Sequence, residues 1–177
     1  KVELTVNAPE EVQFPLYLRV PEWCENPTVA INGKQVGVNT SPRSYIKINR
    51  AFSDGDKITL TMPMELSVTK WEQNKNSVSV NYGPLTFSLK IDERKVREGG
   101  TDKWPAWEIY PDSPWNYGLV INEENPTQNL EVVKKDWPDS NMPFTPENAP
   151  IAIKAKARKI PEWELNSKGL VEEIQQS

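Results

Sequence analysis

The chain has 177 residues, of which 26% are charged and 37% hydrophobic, and its formal net charge is −4. This acidic balance argues against nucleic acid as a partner, because a nucleic-acid-binding domain needs a basic face. No run approaches the roughly 18 apolar residues of a membrane-spanning helix, so no membrane partner is expected. The chain has no histidine and one cysteine, Cys24, which excludes an internal disulfide, imidazole metal ligands and Ser-His-Asp or Cys-His catalysis by this chain.

The first part of the chain repeats a period-two alternation of apolar and polar residues, which is typical of half-buried β-strands. The strands that it predicts are Lys1–Val6, Phe14–Val20, the hairpin Thr28–Val38, Ser44–Asn49 and Lys57–Thr69. Asn32 and Gly33 at the centre of the hairpin suit a type I′ turn, because both residue types accept a positive φ. Pro63 lies within the last of these strands and predicts a kink there or a place at the edge of a sheet.

Ser77–Ile91 is the longest alternating stretch, and we expect it to form the spine of the fold. Its apolar residues are even-numbered up to Tyr82 and odd-numbered from Leu85. A regular strand would therefore turn its apolar set to solvent halfway along. A bulge or bend at Gly83-Pro84 is predicted, because it would keep both halves on one core or pass the chain between two sheets.

The composition changes after Ile91. The charged stretch Asp92–Lys103 contains two adjacent glycines and predicts a surface loop. Residues 104–118 form an aromatic segment rich in tryptophan, tyrosine and proline. Short strands are predicted at Gly118–Asn122, Leu130–Lys134 and Ile151–Ala157, and a helical turn at Leu170–Ile174.

These elements predict an all-β fold, an antiparallel β-sandwich of jelly-roll-like type with long loops and little helix. We expect a single domain over residues 1–177, with a strand-dense half at 1–91 and a loop-rich half at 92–177. The chain starts on a predicted strand without an initiator methionine, so we expect it to be a fragment of a longer protein.

The aromatic segment is the first candidate for a binding site. Its members are Trp104, Trp107, Trp115 and Tyr117, with Glu108 as a polar neighbour. Indole and phenol rings stack on the apolar C–H faces of sugars while carboxylates and amides bond the hydroxyls. The other interpretation is that these rings pack against another domain, since large aromatics also dominate interfaces. No pair of acidic residues lies in a setting that indicates a catalytic pair.

Four stretches occur in a characteristic order: FPLYLRVPEWC (14–24), VAINGKQV (29–36), YIKINRAFSDGDKITLTMPM (45–64) and VSVNYGPLTFSL (78–89). Together they resemble the post-catalytic region of the β-L-arabinofuranosidase-like glycoside hydrolases, family GH127, formerly a domain of unknown function. The stretch WPAWEIYPDSPWNYGLVI (104–121) is similar to that of members from gut Bacteroidetes.

The resemblance implies that the chemistry belongs to an upstream (α/α)₆ barrel, with a glutamate and a zinc-bound cysteine cluster. No position here matches that cluster, so the resemblance assigns this chain no catalytic residue, metal ligand or cofactor. It implies a non-catalytic accessory β-sandwich that packs on the barrel of the same polypeptide and borders its sugar cleft, in a periplasmic or secreted protein. A plant-derived oligosaccharide is the second expected partner. An autonomous carbohydrate-binding module with an aromatic platform and a carboxylate-only glycosidase stay open as alternatives.

Overall fold

A computed structural model describes residues 1–38 and 40–171 of the chain. Contacts within the chain divide the described residues into two compact units. Unit 1 consists of Lys1–Glu65 with Asn81–Leu85, and unit 2 consists of the other described residues. The single domain over residues 1–177, with a strand-dense half at 1–91 and a loop-rich half at 92–177, stays a prediction.

Unit 1 contains two antiparallel sheets. Its strands are β1 (Val2–Thr5), β2 (Val12–Val20), β3 (Thr28–Ile31), β4 (Lys34–Val36), β5 (Ser44–Phe52) and β6 (Lys57–Thr61). The first sheet has the order β1-β6-β3-β4, and β2 pairs with β5 to make the second. The predicted hairpin is confirmed, because β3 and β4 pair across Asn32 and Gly33, whose φ angles are 50° and 78°.

The core of unit 1 lies between these two sheets. β2 and β5 pair along nine positions, from Val12 opposite Phe52 to Val20 opposite Ser44. Their inward side chains meet those of β3 and β6, as the alternation predicts. The buried cluster consists of Leu18, Val20, Cys24, Val29, Ile31, Ile46, Ile48, Phe52, Ile58 and Leu60. Each large apolar side chain buried in this way contributes about 1.5–3 kcal/mol, and both sheets of unit 1 supply such side chains.

The strand expected at Lys57–Thr69 is interrupted around Pro63. β6 ends at Thr61, and β7 begins at Leu66. A proline has no N–H for the ladder and fixes its own φ, so the ladder stops there rather than bending through it. The single long strand was therefore a wrong prediction, and in place of the kink or edge position predicted at Pro63 the strand is broken there.

Ser77–Ile91 is not the spine of the fold. It forms β8 (Ser77–Tyr82) and β9 (Leu85–Phe87), which are neighbours in a sheet of order β7-β8-β9. Gly83-Pro84 is a two-residue turn that reverses the chain, so the change of parity reflects a hairpin rather than a bulge or bend. Of its apolar side chains only Val80 is buried, because the large core belongs to β2, β3, β5 and β6.

The later strands of unit 2 pair two by two. They are β10 (Glu93–Gly100), β11 (Pro105–Pro111), β12 (Tyr117–Leu119), β13 (Leu130–Lys134), β14 (Ile151–Ala155) and β15 (Ala157–Lys159). The pairs are β10 with β11, β12 with β15 and β13 with β14, all antiparallel. The surface loop predicted at Asp92–Lys103 is wrong for most of its length, because the charged residues of β10 form a ladder with β11.

The strand expected at Ile151–Ala157 is divided at Lys156. The part before it, β14, pairs with β13, and the part after it, β15, pairs with β12. Residues 172–174 of the helical turn expected at Leu170–Ile174 lie outside the described residues, and Val171 makes an antiparallel bridge with Leu165.

The fold class is confirmed as all-β, with antiparallel sheets consistent with a β-sandwich. The helical element of the described residues is a single 3₁₀ turn at Glu72–Asn74. No helix in the described part of the chain is long and apolar enough to cross a membrane. The jelly-roll connectivity stays a prediction.

Candidate functional site

The structure places Trp104 and Trp107 on the exposed β10–β11 hairpin. Trp104 lies in the connecting turn with 74% of its surface exposed, and Trp107 lies on β11 with 51% exposed. Arg97 is the cross-strand partner of Trp107. Successive side chains of a strand point to opposite faces, so Trp107 and its neighbour Glu108 do not share a face. A sugar site that used both residues would need Glu108 beside the Trp107 ring. The alternation of the strand places them on opposite faces instead.

Glu108 instead belongs to a polar face of the hairpin. The Tyr110 hydroxyl donates a hydrogen bond to the Glu108 carboxylate, which raises the pKa of Tyr110. The Arg94 guanidinium lies 4.9 Å from the centre of the Tyr110 ring, and its Nε is 3.9 Å from Asp112 Oδ1. The polar groups of this face thus interact with one another. Its one aromatic ring, that of Tyr110, is already in contact with the Arg94 guanidinium.

Trp115 and Tyr117 lie beyond the hairpin. Trp115 is half-buried and lines an open cleft of about 610 Å³, together with Trp163. Tyr117 starts β12 and pairs in register with Lys159 of β15. The structure thus separates the predicted aromatic set: Trp104 and Trp107 belong to the hairpin, Trp115 lines the cleft and Tyr117 lies on β12. Among the described residues the rings in mutual contact are Phe14 and Phe52, so the predicted set does not stack on itself.

Trp163 was missed by the sequence analysis. It follows Pro161 in a short irregular stretch, and its position in the cleft depends on the pairing of β12 with β15. Nothing in the local sequence joins it to Trp115, because that pairing is made between distant parts of the chain. The one local feature that marks Trp163 is the sequence Pro-Glu-Trp at 161–163. The same three residues occur at Pro21–Trp23 in unit 1, so this feature does not identify a binding site.

The comparisons with known proteins bear on unit 1. Residues 1–64 match the family described as "Beta-L-arabinofuranosidase, GH127 middle domain". The resemblance to the GH127 family is confirmed over this stretch. We call residues 1–64 the GH127-like segment. It contains both sheets and all ten core side chains of unit 1, whereas the aromatic segment lies outside it.

Two solved structures are similar to parts of the chain. One, described as a glycoside hydrolase, has 31% sequence identity and a TM-score of 0.44 over 48% of this chain and 15% of that one. The other is a GH127 β-L-arabinofuranosidase from Geobacillus stearothermophilus T6, with 21% identity and a TM-score of 0.44 over 62% of this chain and 24% of that one. The chain thus spans less than a quarter of the length of either. No curated protein matches the sequence.

The one thiol of the GH127-like segment is sealed in its core. Cys24 is fully buried, and burial raises the pKa of its thiol. A buried neutral thiol is a poor nucleophile and a poor metal ligand. Within the described residues, no three side chains of the histidine, cysteine, aspartate and glutamate types converge as a metal site would require.

The acidic groups are also engaged in structure or exposed. Asp56 is the buried acid of the described residues, and its carboxylate accepts hydrogen bonds from Asn32 Nδ2 at 2.7 Å and from the Ser53 N–H at 3.0 Å. These bonds and Arg50 lower the pKa of Asp56. A carboxyl group stabilised as the anion in this way is suited to closing a turn rather than to donating a proton.

Proposed function

We propose that this chain is a non-catalytic accessory region of a β-L-arabinofuranosidase-like glycoside hydrolase, secreted or periplasmic, that supports the catalytic barrel of the same polypeptide. The observation that carries the proposal is the match of residues 1–64 to the GH127 middle domain. A region described as a middle domain is expected to have other domains beside it, which supports the proposed accessory role. An accessory role also agrees with the chemistry of the segment, whose cysteine is buried and whose buried acid closes a turn.

The outer face of the β2–β5 pair is the surface that we propose for contact with the barrel. Tyr17 and Tyr45 are 53% and 62% exposed, although both belong to regular strands. Arg19 is the cross-strand partner of Tyr45, and the Lys47 ammonium lies 5.7 Å from the centre of the Tyr17 ring. Tyrosine and arginine are the residue types enriched where protein interfaces bury most of their energy. We call these four side chains the tyrosine face.

Two measurements test the accessory role. The purified chain is incubated with a p-nitrophenyl β-L-arabinofuranoside, with and without Zn²⁺, beside an active GH127 enzyme as the positive control. We expect no sugar release, because a zinc–thiolate reaction needs several thiolates and the chain has one cysteine. Release that persists after further purification would overturn the proposal.

The second measurement is amide hydrogen exchange of the chain alone and of the longer polypeptide. We expect the amides of Phe14–Arg19 and Tyr45–Asn49 to exchange more slowly in the longer polypeptide, because the barrel covers the tyrosine face. The matched reference is β3, which is paired on both sides within unit 1 and should not change. Equal exchange of the tyrosine face in both proteins would contradict the barrel contact.

A further inference from the structure

The cleft of unit 2 lies between two short stretches, residues 111–116 and residues 159–165. Its walls are held by several hydrogen bonds. The Ile160 N–H donates to the Asn116 carbonyl at 2.8 Å, and Asn116 Nδ2 donates to the Ile160 carbonyl at 3.1 Å. The Trp163 N–H donates to the same Ile160 carbonyl at 3.1 Å. A reciprocal pair of hydrogen bonds between Asn116 and Ile160 thus connects the stretch that carries Trp115 with the stretch that carries Trp163.

The first wall is also fixed at its start. The Asp112 N–H donates to the Asp92 carbonyl at 2.6 Å, and the Asp92 N–H donates to Ser113 Oγ at 2.9 Å. Pro111 and Pro114 restrict the backbone on either side of this contact. A site whose walls are ordered before binding loses less conformational entropy when a ligand arrives. We therefore expect the walls of the cleft to be ordered before a ligand binds.

The side chains of the cleft combine aromatic surface with donors and acceptors. Trp115 and Trp163 are half-buried, and both line the cleft. The Glu164 carboxylate and the Lys159 ammonium have no ion pair with any described residue, and Asp112 reaches Arg94 only at 3.9 Å. Its volume, about 610 Å³, falls within the range of roughly 300–1,000 Å³ that is typical of small-molecule sites.

We propose that this cleft binds a neutral oligosaccharide. The C–H face of a sugar ring packs on an indole, while its hydroxyls accept from an ammonium and donate to a carboxylate. Two carboxylates and one ammonium give the lining a net charge of −1, which disfavours acidic sugars and phosphates. The lining carries charges of both signs, so a ligand with many hydroxyls, which both accept and donate hydrogen bonds, matches it better than a simple cation does. The site does not depend on the accessory role, because it lies outside the GH127-like segment.

The test is calorimetric titration of the intact chain with arabinohexaose, xylohexaose and cellohexaose. Hexagalacturonate and choline serve as the acidic and cationic probes. We expect at least one neutral hexaose to bind and the two other probes not to bind. Trp115→Ala and Trp163→Ala should each weaken that binding about tenfold, through lost stacking and buried surface. Trp137→Ala is the control, because Trp137 is 63% exposed and outside the cleft.

A loss of folding is kept separate from a loss of binding. Circular dichroism of every variant checks the fold, and Glu164→Gln changes an exposed side chain without removing packing. It should weaken binding several-fold, because a hydrogen bond to a charged group becomes a neutral one. Three results would overturn the inference: no neutral hexaose binds, the tryptophan and glutamate variants bind as tightly as the parent, or binding is limited to hexagalacturonate or choline. None of them bears on turnover or on the barrel contact.

Discussion

At the scale of residues, Asp56 and Asn32 make the most informative pair. Asn32 Nδ2 donates to Asp56 Oδ1, and Asn32 Oδ1 accepts from the Lys57 N–H at 2.9 Å. The tip of the β3–β4 hairpin is thereby joined to the turn between β5 and β6. The sequence predicts the hairpin turn at Asn32 and Gly33, but it does not distinguish Asp56 from the neighbouring Asp54, which is exposed. The distinction depends on burial between two turns that are distant in sequence.

The lowered pKa of Asp56 predicts a dependence of stability on pH. A carboxyl group whose pKa is lower in the folded state stabilises the fold above its unfolded pKa, about pH 4. That contribution is lost as the pH falls through the folded pKa. As the pH is lowered through this acidic range, we expect the urea midpoint of the parent to decrease. The urea midpoint of Asp56→Asn, which is already less stable at pH 7, should decrease less steeply with pH. Asp139→Asn in an exposed loop is the control and should follow the parent at every pH.

Asn32 has two separable contributions to stability. Asn32→Ala removes both side-chain hydrogen bonds and puts alanine, which tolerates the left-handed region less well than asparagine, at a φ of 50°. We expect a loss of about 1–3 kcal/mol in the free energy of unfolding. Asn32→Gly removes the same bonds but accepts the positive φ, so the difference between the two variants measures the backbone term. Equal stability of Asn32→Ala and the parent in urea melts would contradict the linkage of the two turns.

At the scale of elements, the two hairpins show what local sequence can and cannot predict. The β3–β4 hairpin is predicted correctly because Asn32 and Gly33 supply a turn with its own conformational preference. The strand β10 is missed because its residues are charged and end in Gly99-Gly100, which is typical of loops. Its partner β11 supplies the ladder, and seven of its residue pairs are in register on either side of a bulge between Arg97 and Gly99. Pairing, rather than propensity, makes β10 a strand.

Gly100 is the residue on which this hairpin depends most. Its φ is 74°, and a β-carbon there would lie 2.3 Å from the Trp104 carbonyl oxygen and 2.7 Å from the Ala106 nitrogen. Both neighbours are backbone atoms and cannot move aside. We expect Gly100→Ala to destabilise the hairpin by more than about 1 kcal/mol and to increase amide exchange in β10 and β11. Gly37→Ala is the control, since it meets no atom within 4 Å and has no positive φ. Unchanged exchange in Gly100→Ala would show that the turn can rearrange.

At the scale of the whole molecule, the all-β antiparallel class follows from alternation alone. Alternation identifies half-buried strands but does not say what covers them. Ser77–Ile91 and the β2–β5 pair have equally clear patterns, yet the large core lies against β2 and β5. The change of parity at Gly83-Pro84 was the available clue, and a hairpin is its simplest explanation. The cleft could not be predicted for the same reason, because Trp115 and Trp163 come to line one cleft only through the pairing of strands that are distant in sequence.

The tyrosine face leads to a prediction about the longer polypeptide, and this prediction depends on the proposed function. The double variant Tyr17→Ser, Tyr45→Ser should unfold in urea within about 0.5 kcal/mol of the parent as an isolated chain, because both side chains are exposed. In the longer polypeptide it should lower the thermal midpoint, because an interface loses its aromatic contacts. Trp137→Ser is the control in both. A double variant that leaves the midpoint of the longer polypeptide unchanged would remove the tyrosine face from the barrel contact.

The solitary cysteine has a practical consequence for studying how this chain opens. Cys24 is fully buried and belongs to the core cluster of unit 1, so an alkylating reagent can reach it only when that core opens. The rate of trapping by iodoacetamide therefore times the opening of one half of the molecule, with no engineered label and no second thiol to confuse the signal.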